Sequence, residues 1–337
     1  MNMKGFKKFL ISLGLGAMLT FGMATAASAS TISAQLIPEK ENNERETAIP
    51  VISGNQESQA TEAAMSSESG NPQQTAADLS SVSLKWNSVP GAARYSIEIK
   101  SYSSNSAYKV LGNVKGTSVR INKLKSGITY KVRIKAISSS GSAIRSFQPV
   151  NCSTLYEKAE IKSSYETSKG YTFNMKLMNP SDSITGYKVV YADYASRKKI
   201  TKYFNTRYSF TLPMKRNTFY KVNIYPYLTL NNKRFVSPKA TSRYIAMSPL
   251  LSKAGNTQNS MTVKWNKVAG ANHYSIYIQY PGSKTYKKVK TTSALSYKLQ
   301  GMKLGSEYKI RVTANKVVGR TTWRSAYKTY RLRLALV

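Results

Sequence analysis

Ser106-Ala-Tyr-Lys109 and Ser196-Arg-Lys-Lys199 have the Ser-x-x-Lys spacing. In serine acylases such a lysine serves the serine nucleophile, but the pair must sit on a helix beside further motifs, and the chain supplies none. His273 and Cys152 are the single histidine and the single cysteine, so neither a nucleophile–base triad nor a zinc set can assemble around them. His273 reads as a solvent-edge residue and Cys152 as an ordinary strand-end residue. Only seven acids follow residue 80: Glu98, Glu157, Glu160, Glu166, Asp182, Asp193 and Glu307. The odd spacing of Glu157 and Glu160 puts them on opposite faces of a strand, which is no arrangement for a glycosidase pair. Gly14 and Gly16 lie in an N-terminal apolar run, so no phosphate-cradling loop is present. The expectation is a non-enzymatic chain without cofactor or metal.

Charge is the informative chemistry. The 337 residues carry 51 Lys+Arg against 15 Asp+Glu, and the two signs are segregated. Residues 30–80 hold two basic and eight acidic residues; residues 81–337 hold 46 basic and seven acidic ones. A surplus of that size exceeds what solubility requires and repels itself in a compact state, so it points to an anionic partner, with lysine that only solvates sheet faces and blocks aggregation as the alternative. If Tyr130, Val132 and Ile134 face a core, then Lys131, Arg133 and Lys135 form a row on the opposite face. Lys309 and Arg311 repeat that row beside Tyr308, Ile310 and Val312. Arg197, Lys198, Lys199, Lys287 and Lys288 add cations from turns, with Tyr277, Tyr280 and Tyr286 expected among them.

The elements that would carry these rows come from a repeat. Val82–Ile99 aligns without a gap to Met261–Ile278, with ten of 18 positions identical. Leu124…Tyr130, Met214…Tyr220 and Met302…Tyr308 each place an apolar residue six positions before a tyrosine, and those tyrosines are 90 and 88 residues apart. Three modules of about 90 residues follow. Within them apolar and polar residues alternate with period two, and turn signals such as Pro90-Gly91 and Pro281-Gly282 separate the runs; this predicts antiparallel strands in an all-β sandwich.

Trp86 and Trp265, each followed by Val-x-Gly-Ala-x-x-Tyr and later by Leu/Met-x5-Tyr with alternating Val/Ile, resemble the fibronectin type III module, here in a secreted bacterial protein. The resemblance implies three tandem immunoglobulin-like sandwiches with Trp86, Tyr95, Tyr130, Tyr187, Tyr220, Trp265, Tyr274 and Tyr308 in structural roles. Tyr130, Tyr220 and Tyr308 match the corner tyrosine, whose hydroxyl bonds back to the chain a few residues upstream. The middle module departs: it lacks the tryptophan, and Phe173, Met175 and Leu177 are expected to fill its core. No convincing first strand precedes Val82 in the first.

The expected division is a signal peptide at 1–29, a disordered acidic linker at 30–79, and modules at 80–154, 155–246 (divergent) and 247–337. Lys4, Lys7 and Lys8, the apolar run Phe9–Ala24 and Ala27-Ser28-Ala29 read as a cleaved secretory signal, with an uncleaved membrane anchor as the alternative. No stable membrane insertion is expected once the signal is cleaved. The expected product is a secreted or cell-wall-associated protein. Its basic modules would contact an anionic cell-wall polymer or acidic polysaccharide, with nonspecific binding of extracellular nucleic acid. The alternative is a spacer or adhesin that meets a surface protein through its loops, the tyrosine-rich middle module being the place.

Overall fold

The computed structural model describes residues 32–38, 71–176 and 184–336. Among these the secondary structure is strands and turns, without a helix. The expected signal peptide, most of the acidic stretch, Leu177 and Asp182 lie outside the described residues.

An N-terminal strand, β1 (Ile32–Pro38), precedes the first sandwich. That sandwich comprises β2 (Gln73–Ala77), β3 (Val82–Lys85), β4 (Arg94–Ser101), β5 (Lys109–Val114), β6 (Ser118–Ile121), β7 (Thr129–Ile137), β8 (Ala143–Ser146) and β9 (Val150–Ser153). Its sheets run β2-β3-β6 and β5-β4-β7-β8, with β9 also on β7. The second comprises β10 (Ile161–Thr167), β11 (Gly170–Met175), β12 (Gly186–Asp193), β13 (Lys199–Phe204), β14 (Ser209–Leu212), β15 (Tyr220–Leu230), β16 (Lys233–Val236) and β17 (Thr241–Ile245). They form β10-β11-β14 against β13-β12-β15-β16, with β17 on β15. The third comprises β18 (Leu251–Thr257), β19 (Ser260–Trp265), β20 (His273–Gln279), β21 (Lys287–Thr292), β22 (Ser296–Leu299), β23 (Glu307–Val318), β24 (Thr321–Arg324) and β25 (Tyr330–Leu336). Here β18-β19-β22 faces β21-β20-β23-β25-β1, and β24 pairs with the far end of β23.

Each pair of sheets closes on its own apolar core. Val82, Leu84 and Trp86 meet Tyr95, Ile97, Val132 and Ile134 in the first; Met261, Val263 and Trp265 meet Tyr274, Ile276, Ile310 and Val312 in the third. Alternate residues point inward because successive side chains of a strand leave on opposite faces. Phe173 and Met175 are buried in the second core, with Phe210 stacked 5.4 Å from Phe173 where a tryptophan is lacking.

The three corner tyrosines take equivalent bonds. Tyr130 Oη accepts from Lys125 N at 2.9 Å, Tyr220 Oη from Lys215 N at 3.0 Å and Tyr308 Oη from Lys303 N at 3.1 Å. Tyr95 and Tyr274 likewise accept from Val89 N and Val268 N, both at 2.8 Å. The bonds at Val89, Lys215, Val268 and Lys303 satisfy turn amides that are partly or fully buried, whereas that at Lys125 lies at the surface.

Two expectations need correction. The first module does have an opening strand: β2 pairs with β3 from Gln73↔Lys85 to Ala77↔Val82. It binds through amide chemistry, with Gln74 Nε2 donating to Ser153 O and Gln74 Oε1 accepting from Ser153 N, both at 2.8 Å. The other end of the supposed linker is also strand. β1 lies antiparallel on β25, from Ile32↔Leu336 to Pro38↔Tyr330. The linker expectation therefore fails at 32–38 and 73–77.

Candidate functional site

The first cationic row forms as the alternation requires, and then meets an acid. On the outer face of β4 and β7, Glu98 lies opposite Arg133, Lys100 opposite Lys131 and Ser96 opposite Lys135. Arg133 Nε donates to Glu98 Oε2 at 2.7 Å, and Lys135 Nζ lies 2.6 Å from Glu98 Oε1. The Glu98 side chain is only 7% exposed. Burial raises its pKa, but hydrogen bonds and charge from Lys135 and Arg133 outweigh that and hold it below the ordinary carboxylate range. Tyr108 covers the same spot, with the Arg133 guanidinium 4.3 Å and Lys100 Nζ 5.0 Å from its ring; Lys131 lies 5.0 Å from Tyr102. Arg133 and Lys135 thus share one buried carboxylate, which the sequence reading of a bare basic row missed.

The third module repeats the scaffold without that acid. The repeat alignment puts Tyr277 where the first module has Glu98, and Tyr277 lies opposite Arg311. Arg311 sits between two rings, 3.7 Å from Tyr286 and 4.6 Å from Tyr327, and its Nε donates to Thr329 Oγ1 at 2.8 Å. Beside it Lys309 lies opposite Arg331, and Glu307 opposite Arg333. Lys288 lies across β20 from Arg311, opposite Tyr277. The outer face of β21, β20, β23 and β25 therefore gathers Lys288, Lys309, Arg311, Arg331 and Arg333, and among the described residues Glu307 is the acid on it, 3.4 Å from Arg331. Sequence reasoning missed Arg331 and Arg333, although their alternation with the buried Leu332 and Leu334 was visible.

The remaining predicted cations scatter. Lys287 precedes Lys288 on β21 and takes the opposite face. Arg197, Lys198 and Lys199 are exposed at the β12–β13 turn, where Arg197 adopts φ 58°. Ser196, the serine of the second Ser-x-x-Lys spacing, is tied to Asp193, whose Oδ1 accepts from Ser196 N at 2.6 Å. In the middle module Lys188 lies opposite Tyr225, Val190 opposite Asn223 and Ala192 opposite Lys221, so the row is broken there. Of the seven tyrosines expected at the surface of that module, Tyr187, Tyr191 and Tyr227 are buried, Tyr225 is half-buried, and Tyr194, Tyr203 and Tyr208 are exposed.

Tyr194 has a different duty. It covers Gly270 of the third module, where φ is +84° and a Cβ would lie 2.7 Å from the ring. Lys316 Nζ lies 3.9 Å from the Tyr194 ring centroid and donates to Gly270 O at 3.3 Å. Phe219, from just before β15, is fully buried in the third core, and its N donates to Ala269 O at 2.9 Å. On the same joint Glu166 accepts from Arg216 Nη2 and from Ser248 N, both at 2.6 Å. The second and third modules therefore share packed and hydrogen-bonded surface. Cys152 is buried in the first core, where burial pushes its thiol up to about 12. Among the described residues no three His, Cys, Asp or Glu side chains stand together as a metal set.

Residues 69–152 and 249–330 each match the fibronectin type III domain, together just under half of the chain; the middle sandwich is outside the matched stretches. The fold is all-β and of the fibronectin type III, immunoglobulin-like kind. Among solved structures, the chicken CNTN1 FN1-FN3 domains align over 78% of this chain and 98% of that chain, at 16% identity and a TM-score of 0.26. No curated protein matches the chain.

Proposed function

We propose that this chain is a non-catalytic binding protein of the cell surface whose third module holds an anionic polymer across the outer face of β21, β20, β23 and β25. Fibronectin type III domains are commonly non-catalytic binding or spacer modules, and the two matched stretches fit that role. The observation that carries the finer reading is the exchange of Glu98 for Tyr277. The strand position that holds a carboxylate against Arg133 and Lys135 in the first module instead offers an aromatic ring in the third.

Lys288, Lys309, Arg331 and Arg333 supply positive charge along the sheet, and Arg311 is held rigid between Tyr286 and Tyr327. A flat array of this kind suits repeated carboxylate, sulfate or phosphate groups of a cell-wall polymer or acidic polysaccharide, and meets nucleic acid without reading its sequence. Exposed charges act over about one Debye length, roughly 8 Å at physiological salt, so retention on washed cells falls steeply as salt rises. Retention unchanged in high salt contradicts the reading.

The spacer reading draws on one observation of its own, the joint between the second and third modules, where Phe219, Tyr194 and Lys316 fix one module against the other. The two readings are compatible: a stiff pair of modules also presents a binding face at a set distance.

A further inference from the structure

The sheet edges of the three modules are treated differently. In each the edge strand after the central hairpin lies at the end of its sheet: β5 beside β4, β13 beside β12, β21 beside β20. Edge strands expose unpaired backbone groups, and lysine on the edge discourages a new strand from pairing. The third module follows that rule with Lys287-Lys-Val-Lys-Thr-Thr292, and the second carries Lys199 and Lys202. The first module keeps a single lysine on that edge, Lys109 at the start of β5, and the rest of the strand, Val110-Leu-Gly-Asn-Val114, carries none. Both β5 and β21 carry a bulge opposite the same pair of positions, between Ile97/Glu98 and between Ile276/Tyr277, which puts Val110 where Lys288 stands and Gly112 where Lys290 stands. Val110 is 59% and Leu111 46% exposed.

Behind this edge lies an opening. Between β5 and β6, the end strand of the facing sheet, is a cleft of about 300 Å³ lined by the apolar Ile97, Leu111 and Val119 and also by the polar Asn113, Arg120 and Asn122. A Cβ added at Gly112 would meet nothing within 4 Å. An edge guarded at one end only, next to a partly apolar cleft between sheets, is an arrangement that receives an added strand: main-chain bonds seat it, and its alternate side chains enter the cleft.

Charge selects the occupant. Residues 73–154 carry 12 basic and two acidic residues, and one of those acids, Glu98, is already taken by Arg133 and Lys135. A second copy of this edge would bring like charge against like charge, whereas an acidic strand is attracted. The geometry points to β5 as a docking edge for an extended acidic peptide segment whose alternate residues are apolar. This site is separate from the polymer face of the third module.

The test uses the full chain and a short fluorescent peptide alternating valine and glutamate. Three controls accompany it: the same peptide with alternate backbone amides N-methylated, one with lysine in place of glutamate, and the parent peptide at raised salt. Anisotropy should show saturable binding of the acidic peptide. It should weaken about tenfold or more with Val110→Lys, which installs the third module's guard residue. Leu111→Ser, which removes the apolar contact without adding charge, should also weaken binding, and near-ultraviolet circular dichroism checks that both variants fold. Gln replacements at Lys309, Arg331 and Arg333 should leave this binding unchanged, so failure here and failure of the polymer face are told apart. No binding, equal binding by the N-methylated or lysine peptide, or full affinity in both Val110→Lys and Leu111→Ser overturns the assignment.

Discussion

Arg133 lies across the sheet from Glu98 and donates its Nε to that carboxylate at 2.7 Å. The pair has a pH signature. The folded-state pKa of Glu98 is lowered, so its contribution to stability is present above the unfolded value of about 4.3 and is lost as pH falls through the folded value. The first module should therefore lose stability on acidification below about pH 4.3. Glu98→Gln should flatten that acid limb. The readout is the denaturant midpoint reported by Trp86 fluorescence in a Trp265→Phe, Trp323→Phe background; identical acid limbs with and without Glu98 would refute the account of this pair.

The corner tyrosine offers a cleaner deletion. Tyr308→Phe keeps the ring in the third core and removes the acceptor for Lys303 N. The expected loss is about 1–2 kcal/mol of unfolding free energy. By contrast Trp265→Ala, which empties a buried indole, should cost about 3–5 kcal/mol. Comparable losses from both would mean that the hydroxyl bond has been misjudged.

The joint between the second and third modules makes a mechanical claim. Gly270 carries φ +84° beneath Tyr194, so Gly270→Ala adds both backbone strain and a clash with the ring. A loss of about 1–3 kcal/mol is expected from the backbone conformation alone. Calorimetry should show the two modules unfolding together in the parent, and separating into distinct transitions in Tyr194→Ala. Separate transitions already in the parent would show the joint to be weak.

Cys152 should behave as a core atom. With its thiol pushed up to about 12 and its side chain buried, it should resist a thiol reagent at neutral pH in the folded protein and react quickly once denaturant is added. Prompt reaction of the native protein would contradict the first core as described.

The repeat and the period-two alternation made most of the fold legible. Trp86, Trp265 and the corner tyrosines stand out because large aromatic residues recur at fixed offsets from turns. The strand β2 was not legible, because Gln-Gln-Thr-Ala-Ala has no apolar alternation and is fixed through the two bonds of Gln74 to Ser153, 79 residues away. The pairing of β1 with β25 joins opposite ends of the chain, and no local pattern announces such a contact. At the candidate site, alternation found which cations face outward but said nothing about the strand beside them. Cross-strand register decides that Arg133 meets Glu98 while Arg311 meets Tyr277, and register is a property of two strands together.

The most direct test of the central claim is the salt dependence of binding to single-stranded DNA, used as a uniform polyanion, by the parent protein and by a Lys309→Gln, Arg331→Gln, Arg333→Gln variant. If the face of the third module carries the polymer, the slope of log affinity against log salt should shrink in the variant by about 2, close to 0.7 per lost contact. The parallel replacement of Lys123 and Lys125, on a turn of the first module, should change it little. A slope that falls equally in both variants, or in neither, would mean that the positive charge acts as a diffuse cloud and that the third module has no binding face.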